Sequence, residues 1–190
     1  MIKAILLAAG QSKRLKGENK LTKNFKNKPL ITYSVNSLLK SKVNKILVIL
    51  GHDSLKIKKI IKKNKKIIFI INKSFKNGIS SSIKTGIKKI SNKDKGFIIA
   101  QSDMPYIKTS DINKIYNSIK KANYLVHALK YKNRVGNPIG FDISVLKKFK
   151  RIKGDVGARY MVKKLKKSTN FIRIKSAKAF KDFDLKVDFS

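Results

Sequence analysis

The sequence predicts one α/β domain in which a mainly parallel β-sheet is covered by helices on both faces, giving three layers. Apolar runs alternate with amphipathic stretches along the chain, which is the pattern of strand–helix–strand units. The chain has 190 residues, of which 42% are hydrophobic, so it is long and apolar enough for one core. No internal repeat and no linker rich in Pro, Gly or Ser divides the sequence. We therefore expect a single domain over residues 1–190.

The first half of the chain alternates strands and helices in a regular order. Short apolar runs predict strands at residues 2–7, 45–50, 66–71 and 96–100. Helical periodicity predicts helices at residues 30–41, 54–64, 80–90 and 109–121. Pro29 stands near the start of the first helix, and Thr109 or Ser110 is the expected N-cap of the last. This alternation predicts that the strands pair mainly in parallel.

The pattern changes after residue 122. Two short strands are predicted at residues 124–131 and 138–141, around a turn at residues 133–137. Short helices are predicted at residues 144–149 and 155–165, followed by a last strand at residues 171–174. Because no linker separates the two halves, we expect the second half to elaborate the same domain.

The chain is strongly basic, with 47 Lys and Arg against 10 Asp and Glu and a formal net charge of +37. One interpretation is a nucleic-acid-binding protein that releases counterions on binding. The other is compositional bias, because Lys, Ile and Asn are abundant together while Arg is scarce, as an AT-rich genome tends to produce. The lysines are spread over the whole chain, which favours bias. We therefore expect no specific nucleic-acid partner, although the charge attracts anionic substrates.

Three further features of the sequence restrict the class of protein. Cys is absent, which excludes disulfides, thiolate catalysis and Cys-ligated zinc. No apolar run is long enough to span a bilayer, and the N-terminal apolar run is too short for a secretory signal. We expect a cytoplasmic protein without a membrane partner.

A polar loop with phosphate-binding residue types follows the first predicted strand. The loop begins with small and polar residues, namely Ala8, Ala9, Gly10, Gln11 and Ser12. Small residues let a backbone approach a ligand closely, so the loop amides can point at an anion. Arg14 and Lys20 follow, and both side chains suit phosphate oxygens. The loop matches neither the Walker motif nor the dinucleotide fingerprint, yet it is built like a nucleotide triphosphate site.

Polar segments also follow the third and fourth predicted strands. Asn72 begins the first segment, which leads to a probable helix start at Gly78, Ser80, Ser81 and Ser82. The hydroxyls and helix amides suit a nucleobase edge or a ribose, whereas an ordinary N-cap needs only one serine. Because ligands bind beyond the carboxyl ends of the strands in such sheets, we expect these segments to lie beside the first loop.

Two acidic positions have two interpretations each. Asp103 follows the fourth predicted strand and is either a Mg²⁺ ligand beside the triphosphate or a turn aspartate before Pro105. Asp155 and Arg159 are four residues apart at a predicted helix start. They form either a capping ion pair or one wall of an acceptor pocket.

Together, these segments resemble the MobA-like nucleotidyltransferases, and most closely the molybdenum cofactor cytidylyltransferases. The resemblance runs from Ile5 to Phe189 and keeps the order of the family's motifs. The matching segments are residues 7–14, 19–21, 72, 78–86, 102–105, 136–138, 154–159 and 182–184. The sequence departs from the family pattern in three places: Gly17 follows Lys16 one position late, Asn137 replaces a frequent His, and residues 185–187 replace Thr-Pro-Glu.

The resemblance implies a Rossmann-like nucleotidyltransferase domain that transfers CMP from CTP to the terminal phosphate of the molybdopterin cofactor and releases diphosphate. It assigns catalysis to Arg14, Lys20 and Asp103, and Mg²⁺ binding to Asp103 and Asp184. Nucleotide binding falls to residues 8–12, Asn72, Gly78 and Ser80 to Ser82. Acceptor binding falls to Gly136, Asn137, Pro138, Asp155 and Arg159. The implied partners are CTP, the molybdopterin cofactor, and a molybdenum hydroxylase or its chaperone.

Two alternatives stay open at this point. A guanylyl- or other nucleotidyltransferase acting on a related cofactor, a sugar phosphate or an alcohol phosphate would share the fold, and nucleotide selectivity would distinguish it. A basic nucleic-acid-binding protein belongs to a different class. Salt-dependent oligonucleotide binding that excludes triphosphate from the site would indicate that class.

Overall fold

A computed structural model describes residues 1–15, 18–121 and 123–189. Lys16 and Gly17, where the loop departs from the family pattern, lie outside the described residues. The described strands are β1 (Ile2–Ala8), β2 (Asn24–Phe25), β3 (Lys28–Pro29), β4 (Lys45–Leu50), β5 (Ile67–Ile71), β6 (Gly96–Gln101), β7 (Val126–Tyr131), β8 (Arg134–Asp142) and β9 (Thr169–Arg173). The sequence pattern does not predict the short hairpin of β2 and β3.

The main sheet has the strand order β5–β4–β1–β6–β8–β7–β9. Strands β5, β4, β1 and β6 are parallel neighbours. Strand β8 is antiparallel to both β6 and β7, and β9 is parallel to β7. The prediction of a mainly parallel sheet is therefore confirmed. The carboxyl ends of β1, β4, β5 and β6 meet at one edge, where ligands bind in such folds.

Helices cover both faces of the sheet. The described α-helices are α1 (Ile31–Leu39), α2 (Ser54–Ile60), α3 (Ile79–Ile87), α4 (Thr109–Lys120) and α5 (Arg159–Lys164). Helices α1, α2 and α4 bury residues such as Val35, Ile57 and Ile115 in one apolar core. Helix α3, helix α5 and a 3₁₀ helix at Ile143–Arg151 form the other core, which includes Ile83 and Phe149. The three predicted layers are confirmed, and each described helix is too short or too polar to cross a membrane.

Most helix boundaries differ from the sequence prediction, and helices α1 and α3 each end at least two residues early, at Leu39 and Ile87. Helix α2 ends at Ile60 because Ile61 adopts an extended conformation, with φ −85° and ψ 112°. The segment predicted as a helix at residues 144–149 is the 3₁₀ helix, and α5 begins only at Arg159. Helix α4 begins at Thr109 as predicted, but neither Thr109 nor Ser110 is its N-cap.

The start of α4 is stabilised in another way. The N-cap is Lys108, which has extended backbone and whose side chain carries no acceptor. The carboxylate of Asp111 accepts a hydrogen bond from the backbone N–H of Lys108 at 3.2 Å. The acid in the first turn therefore accepts from the N–H of the N-cap residue itself, and its negative charge lies at the favourable end of the helix dipole.

Strand β8 is longer than predicted. It begins at Arg134, and the turn before it contains only Lys132 and Asn133, with a φ of 49° at Lys132. The predicted turn at residues 133–137 is therefore wrong over most of its length. Gly136 lies in the strand, where it pairs with Leu129, and the Phe180 ring packs so closely on it that an added Cβ would overlap a ring carbon. The glycine reflects this close approach and not a turn.

A buried histidine lies on β7. The Nδ1 atom of His127 is 2.7 Å from the hydroxyl of Ser118 on α4, and that hydroxyl also accepts a hydrogen bond from Asn170. The Nε2 atom has no hydrogen-bond partner among the described residues. Burial lowers the pKa of His127 to about 4, although the Asp142 carboxylate and the Tyr124 backbone oppose the shift.

Protonation of His127 is expected to destabilise the fold at acidic pH. Its pKa is about 4 in the folded state against 6.5 unperturbed, so the unfolded state binds the proton first as pH falls. The stabilising contribution is complete above pH 6.5 and is lost between pH 6.5 and 4, at a cost of about 3 kcal/mol. Urea unfolding across this range should show a smaller pH slope in His127→Gln. The same substitution at the partly exposed His52 should keep the wild-type slope, and equal slopes in wild type and His127→Gln would contradict the assignment.

Candidate active site

A cavity of about 590 Å³ lies at the carboxyl edge of the parallel strands. Its lining includes Ala9, Gly10, Gln11, Ser12, Lys20, Gly78, Ser82, Asp103 and Asp155. These residues come from the segments after β1, β5 and β6 and from the loop before α5. The structure therefore brings together segments that are separated by as many as 146 positions between Ala9 and Asp155. This cavity is termed the nucleotide cavity below.

The loop after β1 presents unbonded backbone amides to this cavity. The amides of Gly10, Gln11 and Ser12 donate no hydrogen bond within the described part of the chain. An added Cβ at Gly10 would meet nothing within 4 Å, so the space beside this residue is open. The Ser12 hydroxyl accepts a hydrogen bond from the backbone N–H of Lys20 at 3.0 Å, which closes the loop on itself. Successive free amides of this kind suit an anion.

The two alanines of the loop contribute differently. The side chain of Ala8 lies in the core and does not line the cavity. Ala9 lines the cavity but is only 5% exposed. An added Cβ at Gly51 would lie 2.9 Å from the Ala9 methyl group, so the methyl packs closely on that backbone. Ala8 can therefore act on a ligand only through the backbone.

Lys20 and Asp103, which line the nucleotide cavity, form a charged network with Asp184 and Arg14, which do not line it. The Lys20 Nζ atom lies 2.6 Å from Asp103 Oδ2 and 2.5 Å from Asp184 Oδ1. Arg14 contacts the other oxygen of Asp184 at 2.8 Å. The side chain of Lys20 is 14% exposed and that of Arg14 is 72% exposed, so only the arginine is free to reorient in solvent. The network joins residues that are up to 170 positions apart.

Burial and pairing shift two pKa values in this network. Burial raises the pKa of Asp103, and the Lys20 ammonium only partly opposes this effect. For Lys20, burial favours the neutral amine, but the charges of Asp103 and Asp184 outweigh it and raise the pKa. Lys20 therefore stays charged at neutral pH, where it binds two carboxylates at once.

The two carboxylates fit a divalent cation. The Asp103 Oδ1 atom is buried and has no hydrogen-bond partner among the described residues. Asp184 faces the same ammonium, and its two oxygens contact Lys20 and Arg14, so a cation bound to Asp184 would have to displace one of these contacts. Mg²⁺ is commonly bound by one or two carboxylates together with substrate phosphates. Among the described residues, no group of three or more His, Cys, Asp or Glu side chains is suitable for a metal, so substrate and water would supply the remaining ligands.

The C-terminal segment brings Asp184 to the site. Phe183 is fully buried and packs on the Phe25 ring at 4.7 Å between centroids, and its N–H donates to the Asp103 carbonyl at 3.0 Å. The Asp188 carboxylate accepts hydrogen bonds from the backbone N–H groups of Asp184 and Leu185, both at 2.9 Å. Sequence analysis missed Asp188, although its position four residues after Asp184 is the available signal.

The serine run after β5 serves mainly to position α3. The Asn72 amide donates to the hydroxyls of Ser81 and Ser82 at 2.9 and 3.0 Å. The Ser81 hydroxyl donates in turn to the Gly78 carbonyl at 2.8 Å. Ser80 is buried, and neither its side chain nor that of Ser81 lines the nucleotide cavity, which only Ser82 reaches. The structure therefore brings one of the three serines to the cavity.

The amino-terminal end of α3 is already bound to the loop before α5. The N–H of Ser80 donates to the Gly154 carbonyl at 3.0 Å, and the N–H of Ile79 donates to the Asp155 carboxylate at 3.3 Å. Gly78 has a φ of 86°, and an added Cβ there would lie 2.5 Å from the Gly154 carbonyl. These contacts use helix amides that the sequence analysis assigned to a ligand, and they form a wall of the cavity.

A smaller cavity of about 300 Å³ adjoins the nucleotide cavity. The two share Leu7, Ile79, Gln101 and Asp155, and the smaller one also contains Asn137, Gly157, Ala158 and Arg159. The Oδ1 atom of Asn137 is buried and has no hydrogen-bond partner within the described ranges. Asp155 binds α3, and no ion pair joins it to Arg159 in the described structure. The smaller cavity is therefore the candidate site for an acceptor.

Two of the predicted acceptor residues point away from this cavity. Strand β8 bulges here, because Gly136 pairs with Leu129 and Ile139 pairs with Ala128, which leaves Asn137 and Pro138 between the two pairs. Gly136 contacts Phe180, and Pro138 lines a small apolar space beside Ser34 and other core residues. The structure therefore does not bring Gly136 or Pro138 to the acceptor side.

Gln101 is a cavity residue that sequence analysis missed. It is the last residue of β6 and lines both the nucleotide cavity and the acceptor cavity. Its signal in the sequence is a polar residue at the end of an apolar strand, directly before Ser102 and Asp103. Phe75 also lines the nucleotide cavity and packs against Gly51, where an added Cβ would lie 2.7 Å from its own Cβ.

One family model and two curated proteins are similar to this chain. The family model described as "MobA-like NTP transferase domain" matches residues 4–169. A 2-C-methyl-D-erythritol 4-phosphate cytidylyltransferase from Lachnoclostridium phytofermentans is 29% identical over 140 residues, or 70% of this chain and 58% of that protein. The bifunctional protein GlmU from Clostridioides difficile is 28% identical over 140 residues, or 73% of this chain and 29% of GlmU. The chain thus spans less than two thirds of either curated relative.

A solved structure shares the fold of the whole chain. The crystal structure of Rv0371c from Mycobacterium tuberculosis H37Rv matches with a TM-score of 0.84 at 17% sequence identity. The match covers 99% of this chain and 94% of the Rv0371c chain. At this identity, the similarity shows the fold alone.

Proposed function

The chain belongs to the MobA-like NTP transferase domain family, and from this premise we propose that it is a nucleotidyltransferase that transfers CMP from CTP to the phosphate of the molybdopterin cofactor. One observation carries the proposal. Lys20 and Asp103, which are paired with Asp184 and Arg14 in one charged network, line the same cavity as residues 10–12, whose backbone amides are unbonded. Cations and free amides suit a triphosphate, and paired carboxylates suit the cation that accompanies it.

The reaction requires little covalent chemistry from the protein. An oxygen of the acceptor phosphate attacks the α-phosphorus of CTP in line, and the bond between the α-phosphorus and the bridging oxygen breaks. Diphosphate leaves with the electron pair of that bond. No general base is needed, because the attacking phosphate is already ionised. The residues Arg14 and Lys20 and the amides of residues 10–12 position the reactants and stabilise negative charge on the phosphates.

Asp103 and Asp184 would hold a Mg²⁺ ion in this scheme. The ion would neutralise part of the triphosphate charge when bound. The buried and unpartnered Asp103 Oδ1 supports this assignment, because such an atom is costly without a ligand. Asp188 keeps the Asp184 backbone in place through its two hydrogen bonds.

We expect CTP to be preferred over GTP by at least about tenfold in kcat/KM, or about 1.4 kcal/mol of transition-state stabilisation. The motifs that resemble the cytidylyl branch support this preference, as does the similarity to a cytidylyltransferase. Ala9 and Phe75 both line the cavity and restrict the space beside a base. Initial rates with CTP and GTP at subsaturating concentrations measure the ratio. Equal rates or a GTP preference would refute the cytidylyl assignment and leave nucleotidyl transfer standing.

The acceptor has a second candidate of related chemistry. Similarity to the 2-C-methyl-D-erythritol 4-phosphate cytidylyltransferase favours an alcohol phosphate. The order of the acceptor-side motifs favours molybdopterin, and the cavity around Asn137 and Arg159 is open to either acceptor. Diphosphate release from CTP with each acceptor in parallel separates the two candidates. If molybdopterin is the acceptor, the product passes to a molybdenum hydroxylase or its chaperone, which a pull-down with the purified partner would test.

A further inference from the structure

A third cavity, of about 490 Å³, opens between the 3₁₀ helix at Ile143–Arg151 and α5. It is termed the basic groove, and its lining residues are Lys147, Lys148, Arg151, Ile152, Lys153, Val156, Tyr160, Met161 and Lys164. Five of these nine residues are Lys or Arg, against 47 of 190 in the chain. The fraction of Lys and Arg in the groove lining is therefore about twice their fraction in the whole chain.

The cations of the basic groove are available to a ligand. All five are exposed, and no acidic side chain lines the groove. Within the described residues, none of the five forms an ion pair with Asp or Glu. Several unpaired cations around one concavity suit an anion of more than one charge.

The floor of the basic groove is apolar and its rim carries an aromatic ring. Ile152 is 5% exposed and Met161 is 1% exposed. Tyr160 is 44% exposed, and the Lys164 ammonium lies over its ring, 5.8 Å from the centroid. The part of the ring that stays exposed offers a stacking surface for a planar ring beside the apolar floor. The volume is within the range of small-molecule sites, which is about 300–1,000 Å³.

The basic groove shares a wall with the nucleotide cavity. Lys153 and Val156 line the groove, whereas Gly154 and Asp155 between them line the nucleotide cavity. The hydrogen bonds of Gly154 and Asp155 to the start of α3 hold this turn in place. A ligand in the groove would therefore contact a segment that also shapes the candidate active site.

We propose that the basic groove is a second ligand-binding site for an aromatic ring that carries phosphate groups, such as a nucleoside phosphate. The cations bind the phosphates, and the ring stacks on Tyr160 beside Ile152 and Met161. The inference is independent of the proposed transferase activity, because none of the residues assigned to catalysis or to CTP lines the groove.

A fluorescence titration tests the proposal directly. The chain contains no Trp, so Tyr160→Trp places a single reporter in the groove. We expect ADP to quench this reporter saturably, with a Kd at least about tenfold lower than that of adenosine or of tripolyphosphate. Tyr124→Trp is the matched reporter, because Tyr124 is 43% exposed and lies outside the groove. This second reporter should show no saturable quenching.

Two matched sets of lysine-to-alanine substitutions distinguish binding in the groove from attraction by the overall charge of the chain. In the Tyr160→Trp background, the triple variant Lys147→Ala/Lys148→Ala/Lys153→Ala should raise the Kd for ADP at least about tenfold. The variant Lys59→Ala/Lys62→Ala/Lys63→Ala removes three exposed charges elsewhere and should change it less than about twofold. Adding Gly10→Phe to the reporter fills the open space beside the loop of the nucleotide cavity and should leave the Kd unchanged, which excludes a signal from that cavity.

Several outcomes would overturn the proposal. Binding of tripolyphosphate as tight as that of ADP would indicate charge alone, and equal quenching of the Tyr124→Trp reporter would indicate non-specific binding. Tighter binding of a glutamate octapeptide than of ADP would indicate an acidic protein partner instead. Hydrogen exchange of the wild-type chain avoids any effect of the substitutions on folding. There, ADP should protect residues 147–164, and unchanged exchange would refute the site.

Discussion

Replacing Lys20 with alanine is expected to lower kcat by about 10²–10³-fold while changing the KM for CTP less than about threefold. The side chain is charged, largely buried, and in contact with both carboxylates of the site. An interaction that strengthens as charge moves onto the transferring and leaving phosphates reduces kcat when it is removed. Steady-state kinetics with CTP and the acceptor, with diphosphate release as the readout, measure both parameters.

Lys23→Ala is the matched control for Lys20→Ala. Lys23 is three residues away, and its side chain pairs with the exposed Glu18 at 3.0 Å. The Lys23→Ala substitution also removes one positive charge, but outside the network. The kcat should stay within about twofold of the wild-type value, because exposed ion pairs contribute little. A Lys20→Ala enzyme whose kcat is unchanged and whose KM alone rises would show that Lys20 serves binding and not catalysis.

Asp103→Asn is expected to reduce divalent-cation-dependent turnover by at least about 10³-fold while the chain stays folded. The substitution keeps the size of the side chain and removes the charge that a cation would bind. A loss of about 4 kcal/mol of charge stabilisation corresponds to this factor. Titration of activity with MgCl₂, together with thermal melting, measures both effects. Because Asp103 is held by Lys20 and by the buried strand end, the amide can occupy the same place.

Asp142→Asn provides the control for the loss of one carboxylate. Asp142 is on β8 and its carboxylate accepts hydrogen bonds from the N–H and hydroxyl of Ser144, which an asparagine oxygen can also accept. Its activity should match that of the wild type. An Asp103→Asn variant that melts early yet turns over normally per folded molecule would indicate that Asp103 is a structural turn residue.

Much of the fold follows from local pattern. The apolar runs that become β1, β4, β5 and β6 are each bounded by polar residues, and their alternation with helices leaves few ways to bury them except a parallel sheet. The strand–helix order therefore predicts which loops share an edge. The ends of the helices and strands were less predictable. The glycine at position 136 predicted a turn, but the strand continues through it, and the glycine is needed because Phe180 occupies the space that a side chain would fill.

The candidate site was likewise predictable from the sequence only in part. Arg14, Lys20 and Asp103 are identifiable from residue type and position beside strand ends. The pairing of Lys20 with both Asp103 and Asp184 spans more than 80 and 160 positions of sequence and depends on the buried Phe183 anchor. Sequence also assigned the serine hydroxyls to a ligand, whereas Asn72 binds two of them.

The layer architecture, the edge at which the cavity forms and the residue types that suit phosphate are all readable from the amino-acid sequence, because they follow from hydrophobic period and strand order. Which polar atoms are already satisfied and which are free is visible only in the folded chain. That distinction depends on contacts between distant segments, as for Asp155 on α3, the unbonded amides of residues 10–12, and the opposite faces of β8 at Gly136 and Asn137. It decides which groups can bind a ligand directly and which must first give up a contact within the fold.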